Sequence, residues 1–414
     1  MGVSPTVASP AELVDAAVRI AGRLTSTVRV AETIRSTAAA DGGVPPWFWQ
    51  AHGTATGFGG LAMLFGCLDR ALPGKGWDRV AHEHLTAAVD SAQRVGVLPI
   101  GLSDGVTGLA FTALLLNRDG LRYRRLRRSL DQNLADKLVG FLEERRSRGE
   151  LFSPDVDVIS GAAGIASYLV SRPETDTLSA LGAELLGWLA NCVTEERLPL
   201  RPASRAVDCG LAHGLPGVVA ALAVSHMRGA ATTRSAAALR SGTDWLWAHR
   251  VTDRWGPNWP VDDAHPSSGP AHAAWCYGAP GVARSLLLAG RALRDTALQQ
   301  AALRASTAVG QRPEKERRLM SPGFCHGTAG LAHILHRTGM ESGRADLVAE
   351  AHKIFAELVA GFDADSHFGC RNPHVGAPTD NSPGLLDGAA GVAIVLLSAA
   401  GRPTPRWDRL FLIR

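Results

Sequence analysis

Two adjacent residues offer the first chemistry in this chain. Within SPGFCHGTAGLAHIL, residues 321–335, Cys325 and His326 stand immediately before a Gly-x-x-Gly step and an apolar run. A thiolate and a neutral imidazole are both good zinc donors. In a loop ahead of a helix, neighbouring side chains can point into one pocket, which adjacent residues within a helix cannot do. The plain alternative is a half-buried loop cysteine beside a hydrogen-bonded histidine. A second copy of the same local grammar, WCYGAPGVARSLLLAG from Trp275, brings Cys276 into register with Cys325, each two residues before its glycine.

Cys276, Cys325 and His326 therefore fall at corresponding positions of neighbouring units and can converge. Three protein donors with a fourth place left open is the pattern of zinc sites that do chemistry, whereas a structural site wants a fourth cysteine or histidine. Cys209, in DCGLAHG, is the nearest candidate for a fourth, but it lies five residues before Gly214; Cys67, Cys192 and Cys370 read as ordinary cysteines. His213 occupies the same place as His326, directly ahead of a glycine step. An imidazole with an ordinary pKa of about 6.5 suits proton transfer near neutrality, the alternative being a structural histidine. Asp157, in DVISGAAG, could add a carboxylate, with Asp155 its rival by position.

The elements that must hold these residues follow from a repeat. Gly-x-x-Gly followed by small or aliphatic residues and an apolar run occurs seven times, starting at Gly57, Gly105, Gly161, Gly214, Gly278, Gly327 and Gly388. The spacings of 48, 56, 53, 64, 49 and 61 residues leave room for two helices per unit. Ahead of each step lies a segment with apolar residues at helical spacing: Ala11–Arg23, Asp78–Val95, Arg124–Glu144, Asp176–Val193, Thr232–Ala248, Arg294–Val309 and Ala345–Val359. These read as an outer layer, and the polar-poor runs after the glycines as an inner one. The irregular period favours a closed ring of helices over an open solenoid, whose units must stack on identical neighbours. The residues just ahead of the glycine steps, Thr56, Asp104, Ser160, His213, Tyr277, His326 and Asp387, would then face one end of the ring. Thr252–Pro270, with four prolines, is expected to be an irregular loop near the mouth whose tryptophans pack against the body, covering the ring or binding a peptide being the alternative.

Composition narrows the class. With 46% apolar and 20% charged residues in 414, the chain is globular, and a formal charge of +4 argues neither for nucleic acid nor for an anionic membrane. Six scattered cysteines do not make a disulfide framework, and no apolar stretch approaches the roughly 20 residues that span a bilayer. A cytoplasmic protein is expected.

AHGLPG, WCYGAPG and FCHGTAG, with DVISG upstream, closely resemble the motifs of the lanthionine synthetase C family, the lanthipeptide cyclases and their relatives. The resemblance runs through all seven units and implies an all-α fold, an α/α toroid of seven inner and seven outer helices, as one domain over residues 1–414. It also implies a catalytic zinc held by Cys276, Cys325 and His326, with His213 and Asp157 as proton-transfer residues and Tyr277 as a neighbour in the active site. One departure stands out: where well-known cyclases of this family carry an arginine four residues before the zinc cysteine, this chain has His272. His272 is expected to act there as a local substitute. The activity implied is addition of peptide cysteine thiols to dehydroalanine or dehydrobutyrine of the same peptide, giving thioether rings. A relative that adds glutathione or another thiol to dehydroamino acids, and a non-catalytic zinc-stabilised peptide-binding scaffold, are the alternatives. The expected partners are a dehydrated precursor peptide, a separate dehydratase, because no dehydratase segment is read in the chain, and a transporter complex. Five arginines in LRYRRLRRSL, from Leu121, are expected on a solvated outer helix, with leader binding the sharper alternative.

Overall fold

The computed structural model describes residues 7–40, 48–118, 120–173, 176–230, 232–371 and 381–414. Among these the chain forms α1 Pro10–Arg23, α2 Thr27–Ala40, α3 Phe58–Ala71, α4 Trp77–Val95, α5 Val106–Leu116, α6 Arg124–Ser147, α7 Ser153–Val156, α8 Ala162–Leu169 and α9 Thr177–Thr194. There follow α10 Leu215–Met227, α11 Thr233–Ala248, the strands β1 Val251–Asp253 and β2 Gly256–Asn258, α12 Ala279–Ala292, α13 Thr296–Gln311, α14 Glu314–Arg317, α15 Thr328–Ser342, α16 Ala345–Ala360 and α17 Ala389–Ala399. No described helix is long and apolar enough to cross a membrane.

All seven glycine steps open a helix: α3, α5, α8, α10, α12, α15 and α17. The second glycine of the pair is a steric requirement. A Cβ on Gly330 would lie 1.9 Å from the carbonyl oxygen of Phe324, and one on Gly164 would lie 2.1 Å from that of Val158. In both cases the carbonyl belongs to the residue six positions back, so the incoming loop folds directly onto the first helical turn. These helices are buried nearly all round; in α10 every residue from Leu215 to Ser225 is buried. The amphipathic helices behave differently. Helix α1 buries only Leu13, Ala16, Ala17, Ile20 and Ala21, a single stripe at helical spacing. Their starts are capped by short polar side chains, as Ser9, Asp176, Thr232 and Asp295 accept backbone N–H groups of α1, α9, α11 and α13.

Two compact units can be distinguished: Met1–Leu98 with Thr112–Arg124 and Leu319–Trp407, and Pro99–Phe111 with Arg125–Arg318 and Asp408–Arg414. In the first, α3 packs on α4, α15 on α16 and α17 on α1, while α3, α17 and α15 adjoin in that order. The first amphipathic helix thus covers the last glycine-led one. In the second, α8, α10 and α12 adjoin, and each packs on the amphipathic helix that follows it, α9, α11 or α13.

Thr252–Pro270 departs from the irregular loop expected of it. Its start is a hairpin in which β1 and β2 pair antiparallel, and Pro266–Ser268 form a 3-10 turn. Asp253 accepts the backbone N–H groups of Trp255 and Gly256 across the turn, and Arg312, just after α13, holds the same carboxylate at 2.9 Å. The prolines, Pro257 included, do not prevent this, because a two-stranded hairpin has only edge strands. Trp259 is fully buried and donates its indole N–H to the carbonyl of Leu246 at 2.6 Å, so this tryptophan packs as expected. Of the five arginines from Leu121, Arg127 is buried and Arg122 pairs with Asp78 at 3.1 Å, while Arg124, Arg125 and Arg128 are exposed.

Candidate metal centre and proton-transfer pair

Cys276 sits in the turn that leads into α12. Gly278 has φ 78°, a left-handed-side conformation that glycine adopts without cost, and a Cβ there would lie 2.3 Å from the carbonyl oxygen of His272. The turn is therefore tight, and it brings His272 Nε2 to 3.5 Å from Cys276 Sγ. Behind it, buried Trp275 donates its indole N–H to Phe411 O at 3.0 Å, and Arg284 of α12 donates to Ile413 O at 2.7 Å. The C-terminal residues brace this turn, a role no local pattern announces.

Cys325 and His326 occupy the equivalent turn before α15. The backbone N–H of Cys325 donates to Leu386 O at 2.8 Å, tying it to the turn before α17. His326 Nδ1 lies 3.4 Å from Asp387 Oδ1, so a carboxylate stands beside the ring. Among the described residues, Cys276, Cys325 and His326 form one Cys/Cys/His group whose candidate ligand atoms all lie within 4.8 Å of one another. Cys209 is not a member. It is fully buried, its Sγ lies 3.7 Å from Val207 O, and burial pushes its thiol far up, the charge of Asp208 adding to the effect. Cys67, Cys192 and Cys370 are buried and form no disulfide, and burial pushes the Cys192 thiol up to about 12.

His213 and Asp157 do come together. His213 Nδ1 donates to Asp157 Oδ2 at 2.8 Å, and the two loops are joined by a Val158 N–H to Ala212 O bond of 3.0 Å. Asp157 is 2% exposed, and its Oδ1 accepts the backbone N–H groups of Ser160 at 2.6 Å and Gly161 at 2.9 Å. The carboxylate is thus held on both oxygens, and it fixes the histidine tautomer so that Nε2 is the nitrogen left for chemistry. Burial pulls the His213 pKa down, but the hydrogen bond to Asp157 and the charges of Asp157, Asp208 and Cys276 outweigh it and raise it above the ordinary value. The ring sits among dense protein atoms yet keeps 39% of its side-chain surface open. Asp155 is committed elsewhere: it caps Phe152 N–H at 2.9 Å and pairs with Arg148 at 2.9 Å and Arg145 at 3.2 Å.

Tyr277 donates its hydroxyl to Asp208 Oδ2 at 2.9 Å and accepts from Arg201 Nη1 at 3.3 Å. Burial, with the adjacent Asp208 charge, raises its pKa. Its ring lies 6.3 Å from that of His213 and 6.0 Å from that of His272. Asp208, itself 2% exposed and pushed up by burial, also accepts the Gly210 N–H at 2.8 Å. Neither Asp208 nor Arg201 stands out in sequence. Asp208 could have been found as the first residue of DCGLAHG, the loop that carries His213; Arg201 has no local signal.

With the geometry in hand, the class is defined. The lanthionine synthetase C-like protein family matches residues 49–412, and the chain belongs to that family. Among individual relatives, the nisin biosynthesis protein NisC of Lactococcus lactis subsp. lactis is 25% identical over 374 residues, covering 83% of this chain and 84% of that protein. A solved structure of nisin cyclase aligns with a TM-score of 0.71 at 21% identity, covering 93% of this chain and 96% of the other. The fold is therefore the α/α toroid.

Proposed function

We propose that this chain is a zinc-dependent lanthipeptide cyclase, acting in the cytoplasm as one domain over residues 1–414. Its substrate would be a dehydrated precursor peptide supplied by a separate dehydratase, with a transporter complex as a further partner. The observation that carries the reading is the Cys276, Cys325 and His326 group in a chain of this family. The donor set suits zinc: two soft thiolates and one imidazole, with mutual distances within 4.8 Å, against the roughly 3.8 Å sulfur–sulfur separation that tetrahedral zinc with about 2.3 Å Zn–S bonds sets. These three residues would hold the ion and leave a fourth place for a ligand from outside the chain. When bound there, zinc lowers the pKa of a substrate thiol, ordinarily about 8.5, so that the thiolate predominates near neutrality.

The chain's own residues account for the rest. Addition of the cysteine sulfur to the β-carbon of a dehydroamino acid forms one C–S bond and moves the alkene pair onto the carbonyl as an enolate. Return of that pair to the α-carbon takes up one proton, matching the one the thiol lost. His213 Nε2 is suited to deliver it, because Asp157 orients the ring, holds Nδ1–H and favours the protonated form. The Tyr277 hydroxyl, between Asp208 and Arg201, gives the site a second fixed polar group near that ring. His272, against Cys276, stands where the family carries an arginine, as a polar neighbour of the sulfur.

Incubation of the protein with a chemically or enzymatically dehydrated precursor peptide tests this. Loss of free thiol with no change in peptide mass is expected, since the ring is an isomer of the open chain. A mass increase on supplying glutathione would instead indicate intermolecular thiol addition, and persistence of the thiol would leave a binding scaffold.

A further inference from the structure

Beside His272 the second unit contains a cavity of about 480 Å³, lined by Val261, Asp262, His265, Gly269, Ala271, His272 and Arg318 among others. Its volume lies inside the roughly 300–1,000 Å³ range of ligand sites. The walls are fixed by backbone pairing. Ala271 N donates to Trp259 O at 2.8 Å, Cys209 N to Val261 O at 3.0 Å, and Ala273 N to Arg317 O at 2.9 Å.

The charges on this wall are unequally committed. Asp262 is engaged by His265 Nδ1 at 2.7 Å and by Arg201 Nε at 3.5 Å. Arg318 is exposed and makes no ion pair among the described residues. Its placement is not casual. Arg317, immediately before it, is buried, donating from Nε to Arg312 O at 2.8 Å and from Nη2 to Gly310 O at 2.9 Å. Arg318 itself has φ 54° and ψ 40°, a left-handed conformation unfavourable to a residue with a Cβ, held at the edge of the cavity by its anchored neighbour. An uncommitted cation thus lies on the wall of a cavity that His272 connects to the Cys276 sulfur.

We infer that this cavity is a specificity subsite that seats a carboxylate side chain, aspartate or glutamate, close to the reacting cysteine of the peptide substrate, with Arg318 as its counter-charge. The inference rests on the cyclase reading for what the peptide undergoes, but not for whether the peptide binds.

The test uses the full chain and synthetic peptides that each carry one dehydroalanine and one cysteine, differing only in whether Glu, Gln or Lys flanks the cysteine. Affinity is read by fluorescence anisotropy and turnover by thiol loss. The Glu peptide is expected to bind and react roughly fivefold better than the Lys peptide, the upper range for one exposed ion pair, and the preference should shrink as salt is raised. Arg318→Glu should reverse the order. Arg318→Gly should erase it without lowering thermal stability, because glycine relieves the left-handed backbone and a folding defect cannot then explain the loss. Equal binding of all three peptides by the wild type, or a preference that Arg318→Glu leaves unchanged, overturns the subsite. A charge preference in binding with no thioether formed from any peptide upholds the subsite and removes the cyclase reading.

Discussion

The Cys276, Cys325 and His326 group and the His213–Asp157 pair are both built from residues beside glycine steps, yet they are completed in opposite ways. The pair is satisfied from within: Asp157 accepts two backbone N–H groups and the imidazole, and its charge is what holds the His213 pKa up. The donor group is of a different kind. Two thiols and an imidazole lie within 4.8 Å of one another with Asp387 beside the histidine, an arrangement that thiolates tolerate only when a cation offsets their charge. On the zinc reading proposed above, one feature belongs to the folded chain itself and the other would be completed by a metal ion, so the two should be separable by substitution.

The largest effect is expected at the donors. Cys276→Ala, Cys325→Ala and His326→Ala should each reduce bound zinc from one per chain toward none and bring cyclisation to background. Full zinc by metal analysis in all three would remove the assignment. Chelation of the wild type should imitate these variants and be reversed by added zinc.

His213→Asn comes next and is the sharpest separation. It should retain zinc and helical circular dichroism while cyclisation slows by about 10²–10⁴, the usual contribution of general acid–base catalysis. If zinc left with the activity, His213 would belong with the donors, and the contrast would collapse.

Asp157→Asn should have a smaller, pH-dependent effect. Asparagine keeps an oxygen for the Ser160 and Gly161 N–H groups but removes the charge that raises the His213 pKa, leaving burial to lower it. In the wild type the protonated imidazole persists above its ordinary range of about 6.5. The stability that the pair contributes is therefore fully present below about pH 6.5 and lost as pH rises through the raised value. In the variant the alkaline fall in cyclisation should move to lower pH, and an unshifted pH–rate profile would show that His213 is not the group titrating.

The smallest effect is expected at His272, which touches Cys276 Sγ at 3.5 Å without belonging to either feature. His272→Ala should cost about two- to tenfold in kcat/KM, the scale of one lost hydrogen bond, with His272→Arg retaining most of the activity. Unchanged kinetics in both would place the residue outside the site.

How much of this was readable beforehand depends on the distance over which each residue is decided. The glycine steps announced seven helix starts because their cause is local: a carbonyl six residues back occupies the space of a Cβ, as at Phe324 and Gly330. The amphipathic helices were equally legible from their stripes. The hairpin over residues 251–258 was not, since its prolines look like loop chemistry until one sees that both strands are edges and that Arg312, at the end of α13, clamps Asp253.

The sequence by itself determined the register: it set Cys276, Cys325, His326 and His213 at corresponding places before helices, and residue types alone made them candidate donors and a candidate proton carrier. Only the tertiary structure decided among near neighbours. Asp157 and Asp155 lie two residues apart in one short turn, yet the first turns to His213 and the second to Arg145 and Arg148, a choice made by which loops pack against each face. The same holds for Asp208 and Arg201 around the Tyr277 hydroxyl, and for Phe411 and Ile413 behind Trp275 and Arg284, more than a hundred residues further along the chain. Periodicity records what a residue's own helix requires, and contacts between distant segments leave no period to read.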